Sequence, residues 1–153
     1  MGKSVLDADA VVRALHAAFT HNVGRTALLQ LAAARIRSAG SPYTGVYLYM
    51  VNGDELVLEA FDGRPTDHTR IPVGTGICGR AVAEERDINV PDVHQADGYL
   101  ACSIETRSEL VVLIRRHDDI LGQIDIDSDQ PAGFDATEEA AVRTVADALA
   151  ALL

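Results

Sequence analysis

Residues 45–59 read GVYLYMVNGDELVLE, two runs, Gly45-Val46-Tyr47-Leu48-Tyr49 and Glu55-Leu56-Val57-Leu58-Glu59, on either side of Asn52-Gly53-Asp54. The runs are rich in β-branched, aromatic and apolar residues with a period near two. Asn-Gly is the commonest sequence for a tight hairpin turn because both types tolerate positive φ. The stretch is therefore predicted to be a hairpin, which makes the sheet antiparallel. Ser108 to Arg116 and Asp119 to Asp127, joined at His117-Asp118, repeat the pattern. Upstream, Val11, Val12, Leu15 and Phe19 recur at helical spacing, and Leu28, Leu29, Ala32 and Ile36 do so again before the break Ser38-Ala39-Gly40-Ser41-Pro42. Downstream, Asp135 and Glu138 have capping-box spacing ahead of the stripe Val142, Val145, Ala146, Leu149 and Leu152. Helices at both ends with hairpins between them imply an α+β domain. Its antiparallel sheet should carry the N- and C-terminal helices on one face and long, pocket-forming loops on the other.

A chain of 153 residues with 48% apolar and 24% charged residues suits one domain spanning 1–153. No stretch approaches the ~20 consecutive apolar residues of a membrane span, and the N-terminus has no basic start followed by an apolar core. These features set the expectation of a soluble, cytoplasmic protein. A formal charge of -10 repels phosphate backbones and anionic lipid, which argues against nucleic acid or a membrane as partner. It suits a cationic or zwitterionic small ligand, although most acidic surfaces serve solubility alone. Two cysteines, Cys78 and Cys102, in a reducing compartment favour a transient or catalytic role over a permanent disulfide. The ordinary alternative is that each is an inert, buried small residue.

Between the hairpins, Asp62 to Arg107 is longer than a usual connection and holds one short helical pattern, Gly79 to Glu85. Its apolar content argues for function. Within it, Gly74-Thr75-Gly76-Ile77-Cys78-Gly79 has dinucleotide-turn spacing, but hairpins flank it where a parallel strand-helix-strand unit is required, so no nucleotide cofactor is expected. The glycines instead allow tight turns into a short helix with Cys78 near its start, a place that favours a thiolate. Asp125-Ile126-Asp127-Ser128-Asp129 begins like a calcium loop, but Gln130 and Ala136 stand where Gly and Glu are needed. The two aspartates of Asp125-Ile126-Asp127 should share one face of a strand, with solvation as their plainest fate. Cys78, Cys102, His68 and His94 are scattered without the paired spacings of zinc folds, so no metal is expected either.

Taken together, IPVGTGICGRAV (71–82), PDVHQADGYLACSIETRSELVV (91–112) and LGQIDIDS (121–128) resemble the signature segments of free methionine-R-sulfoxide reductases, enzymes of the GAF fold. The likeness extends over roughly residues 40 to 140. It implies that Cys102 is the catalytic cysteine and Cys78 a second redox cysteine. It further implies that Glu109, Asp125 and Asp127 are the acids of the substrate pocket, with Glu109 and Asp127 also serving the chemistry, and that Tyr43 stands where the family often has a Trp as pocket wall. Tyr99 and Ser103 replace residues that frequently flank the catalytic cysteine. His68 occupies the place where many members carry a third, resolving cysteine. The resemblance also implies free methionine sulfoxide as substrate, thioredoxin or a similar thiol as reductant, and a homodimer.

The chemistry suits these residue types independently. Reduction of a sulfoxide by a thiol needs a thiolate to attack sulfur, a proton donor for the departing oxygen, and a second thiol to convert the sulfenic acid into a disulfide. Carboxylates not used as acids have a partner in the ammonium of a free amino acid, a group missing from methionine within a polypeptide. Two other readings compete: a GAF sensor that binds a small ligand without chemistry, and a thiol redox switch with no small substrate.

Overall fold

The computed structural model describes residues 4–95 and 104–153. Two helices, α1 (Ala8–Thr20) and α2 (Arg25–Arg37), precede the hairpin β1 (Gly45–Asn52) and β2 (Glu55–Asp62). Then come a short strand β3 (Arg70–Pro72), helix α3 (Gly76–Ala83), a short strand β4 (Ile88–Val90) and a 3-10 turn at Val93–Gln95. The second hairpin, β5 (Ser108–Arg116) and β6 (Asp119–Ser128), leads to α4 (Ala136–Leu152). The strands form a six-stranded sheet in the order β3-β2-β1-β6-β5-β4, with every pairing antiparallel. The two hairpins thus meet at β1 and β6 and supply the four central strands, while the long connection contributes both edges.

Strand alternation divides the interior into two layers. Val46, Leu48 and Met50 of β1, with Ile124 and Ile126 of β6 and Leu110, Val112 and Ile114 of β5, face α2 and α4. The stripe Val142, Val145, Ala146 and Leu149 of α4 and Leu28, Leu29, Ala32 and Ile36 of α2 close that layer, and α1 packs across both helices. On the opposite face Tyr47, Tyr49, Val111 and Leu113 pack with Ile77, Cys78 and Ala81 of α3 and with Ile71 of β3. The second face is therefore covered by helix α3 as well as by loops, and the edge strands β3 and β4 widen it. At three residues each, Arg70–Pro72 and Ile88–Val90 carry too little periodicity for β3 and β4 to be read from sequence.

Helix α4 starts as its sequence suggested, with the Asp135 side chain accepting from the Glu138 backbone N–H at 2.9 Å. The reciprocal half of the capping box is replaced. The Glu138 carboxylate accepts from the Ser4 hydroxyl, from the Val5 and Leu6 backbone N–H groups and from the Tyr43 hydroxyl at 2.6 Å. Burial works against this charge, but those four donors outweigh it and hold the carboxyl below its usual range. One acid thus ties the N-terminal segment, the approach to β1 and α4 together.

Candidate functional site

The site is built from strand register. Pairing of β5 with β6 sets Glu109 opposite Asp127 and Val111 opposite Asp125, while β1 sets Tyr47 opposite Asp125 and Gly45 opposite Asp127. Gln123, Asp125 and Asp127 alternate onto the face away from α2 and α4, where Tyr47 and Tyr49 also point. The solvated reading of Asp125-Ile126-Asp127 is overturned: the two aspartates are 1% and 3% exposed, and Glu109 4%. Like charges directly across a ladder repel, so this acidic patch costs stability, and packing around it has to hold it in place.

Helix α3 brings a sulfur to the acids. A Cβ at Gly79 would lie 2.5 Å from the Pro72 carbonyl oxygen, so only glycine lets the helix sit this close to the turn after β3. That approach buries Cys78 on the first turn, where its Sγ donates to Glu109 Oε2 at 3.7 Å. The Gln123 amide donates to the Cys78 carbonyl oxygen at 3.0 Å and pins the same turn to β6. Cys78, Glu109 and Asp125 line a cavity of about 10 Å³ with Tyr49, His68, Ile71 and Ile77. Tyr49 donates to the His68 carbonyl oxygen at 2.6 Å and Tyr47 to that of Arg64 at 2.7 Å, so two tyrosines of β1 hold the loop from β2 to β3 over the site. Arg64 forms an ion pair with Glu105 at 2.9 Å and with Asp129 at 2.6 Å, linking that loop to the end of β6 and to the start of the segment leading into β5.

Burial dominates the electrostatics. It pushes the Cys78 thiol well above its ordinary range, and the charges of Asp125 and Glu109 push it further. The expectation that the start of α3 would favour a Cys78 thiolate therefore fails, because desolvation and two adjacent acids outweigh the field of one short helix. Burial also raises Asp125, with hydrogen bonds involving Glu109 and Cys78 acting against it. Asp125 Oδ1 has no hydrogen-bond partner among the described residues.

Cys102, and with it Tyr99 and Ser103, lies outside the described residues. Tyr43 lies apart from this cavity. It sits 2% exposed in the layer facing α2 and α4, tilted against Phe134 at 5.5 Å between ring centroids, with its hydroxyl on Glu138. Anchored to that buried carboxylate, it forms no part of the cavity wall, whose aromatic residue is Tyr49. Its parity with Asp125 across β1 and β6 was the signal that could have singled out Tyr49. His94 lies in the 3-10 turn and His68 on the cavity wall.

The GAF domain model matches residues 24–153. A GAF domain-containing protein A of Dictyostelium discoideum is 41% identical over 95 residues, 61% of this chain and 60% of that one. A free methionine-R-sulfoxide reductase of Escherichia coli is 39% identical over 95 residues, 62% of this chain and 57% of that one. The free methionine-R-sulfoxide reductase of Neisseria meningitidis, solved in complex with its substrate, superposes with a TM-score of 0.87 at 31% identity, covering 99% of this chain and 91% of that one. The chain belongs to the free methionine-R-sulfoxide reductase branch of the GAF family. The sequence match spans under two thirds of the two curated relatives, whereas the structural match with the Neisseria reductase extends over nearly the whole chain. In this GAF domain the acids and Cys78 lie on the sheet face that α3 covers, and among the described residues no helix is long and apolar enough to cross a membrane.

Proposed function

We propose that this GAF domain reduces free L-methionine-R-sulfoxide to methionine with electrons from thiols. The observation that carries the reading is the convergence of Cys78, Glu109 and Asp125 on one buried cavity, with Asp127 directly across the ladder from Glu109. A packed core gains nothing from gathering those groups, whereas a reaction that needs a thiol, a proton donor and a site for an ammonium uses all of them.

In the proposed sequence the Cys102 thiolate attacks the sulfoxide sulfur while a carboxylic acid of the site protonates the departing oxygen. The S–O bond breaks. A water oxygen then adds to the Cys102 sulfur as the bond between that sulfur and the methionine sulfur breaks, so methionine leaves as the thioether and Cys102 becomes a sulfenic acid. The Cys78 thiol then attacks the Cys102 sulfur, releasing water and forming a disulfide that thioredoxin or a similar dithiol reduces. The net change is sulfoxide plus two thiols to thioether, disulfide and water. Burial pushes the Asp125 carboxyl up, which suits it to donate, and Glu109 and Asp127, paired across the ladder beside it, share the acid chemistry and the reception of the substrate ammonium. Closure of the disulfide needs Cα atoms within ~7 Å at the moment of bonding, and with His68 in place of a third cysteine the second thiol falls to Cys78. A cavity of about 10 Å³ holds one water, so the wall must part to admit an amino acid. Turnover of free methionine-R-sulfoxide with dithiothreitol or thioredoxin, abolished in Cys102→Ser and absent with the S epimer, is the expected result. Full activity in Cys102→Ser refutes the sequence, and no turnover at all favours a ligand-binding GAF module.

A further inference from the structure

The donors at this cavity are also those of a metal site. Cys78 Sγ, one carboxylate oxygen of Glu109 and one of Asp125 lie within 4.8 Å of one another, all three residues buried. A tetrahedral zinc ion, with bonds of ~2.3 Å to sulfur and ~2.1 Å to oxygen, places those ligands about 3.6 Å apart. The separation of Cys78 Sγ from Glu109 Oε2 is 3.7 Å. The space between them, about 10 Å³, suits one water-sized particle. Asp125 lines that space, is 1% exposed, and keeps Oδ1 without a hydrogen-bond partner among the described residues. An acceptor buried without a donor is costly, and a cation held by the Asp125 carboxylate would offset that cost.

We propose that the pocket binds one thiophilic divalent cation, zinc in the first instance, through Cys78, Glu109 and Asp125. The fourth position belongs to solvent or to His68 on the cavity wall. Binding forms a metal–sulfur bond and releases the thiol proton to solvent, with no change in oxidation state. The sulfur ligand selects for zinc over magnesium and calcium. Metal binding stands independently of the reductase reading. Its consequence, that a bound ion removes Cys78 and the acids from sulfoxide reduction and so inhibits turnover, rests on that reading.

The test uses full-length, reduced Cys102→Ser protein, so that any thiolate signal reports Cys78. Titration with cobalt(II) is expected to give thiolate-to-cobalt charge-transfer absorption saturating at one ion per chain and erased by one equivalent of zinc. Adding Asp125→Asn should weaken cobalt binding by about a hundredfold, while far-ultraviolet circular dichroism verifies that the fold is kept. No charge-transfer band, or a band indifferent to Asp125→Asn, overturns the site. Cobalt binding alongside wild-type protein that leaves methionine sulfoxide untouched would retain the metal site and reject the reductase reading. Turnover that saturating zinc fails to slow would reject inhibition.

Discussion

Asp125→Asn is predicted to make the protein more stable and inactive at once. Asp125 is 1% exposed, two positions along β6 from Asp127 and close enough to Glu109 and Cys78 to share hydrogen bonds with both. Its Oδ1 has no partner among the described residues. A buried polar atom left unsatisfied costs about 1–3 kcal/mol. Asparagine fills the same volume, carries no charge and presents N–H donors to a cluster rich in acceptors. The gain worked from one relieved atom is about 1–3 kcal/mol, or roughly 2–4 °C in melting temperature for each kcal/mol in a domain of this size. Urea denaturation at pH 7, read by circular dichroism, gives the first number, and turnover of free methionine-R-sulfoxide gives the second. A variant destabilised by more than about 1 kcal/mol would show that the acids are well satisfied in the native state, and the argument that they are held together against their own repulsion would fail.

Three further outcomes follow from the geometry. Glu138→Gln weakens the joint between Ser4, Val5, Leu6 and Tyr43 and should cost about 1–3 kcal/mol at pH 7. Because the folded carboxyl is held below its unfolded value of ~4.3, its contribution is present above that pH and lost as pH falls through the folded value, so the gap between wild type and variant in urea melts should close progressively as pH falls below ~4.3. Gly79→Ala forces a Cβ against the Pro72 carbonyl, lifting α3 and the Cys78 sulfur, with an expected loss of about 1–3 kcal/mol and a fall in turnover of roughly a hundredfold; an unchanged melt would contradict the close approach. Arg64→Ala breaks ion pairs whose partners are more than a third exposed, so stability should change by less than about 1 kcal/mol, while KM for the sulfoxide rises as the loop bearing His68 loosens.

The hairpins and terminal helices were legible because their periods are long enough to count. Two eight-residue strands around Asn52-Gly53-Asp54, and apolar stripes over more than three helical turns in α4, leave little ambiguity. The acids were legible only through the resemblance, since Asp125-Ile126-Asp127 read by itself is as compatible with solvent as with burial. Its burial depends on α3, and α3 reaches the sheet because Gly79 has no side chain, a contact set by tertiary packing. The surroundings of Tyr43 were illegible for a related reason: position before a strand does not say which face the chain will take, and its hydroxyl is claimed by Glu138, ninety-five residues away. His68, noticed only as a substitute for a cysteine, proved to be part of the cavity wall.

The most direct test of the central claim is a single-turnover reaction. Fully reduced protein mixed with free methionine-R-sulfoxide in the absence of any other thiol should yield one methionine per chain, with both thiols lost together and a Cys78–Cys102 disulfide found by peptide mass mapping. Thiols that persist while no methionine forms would contradict the account.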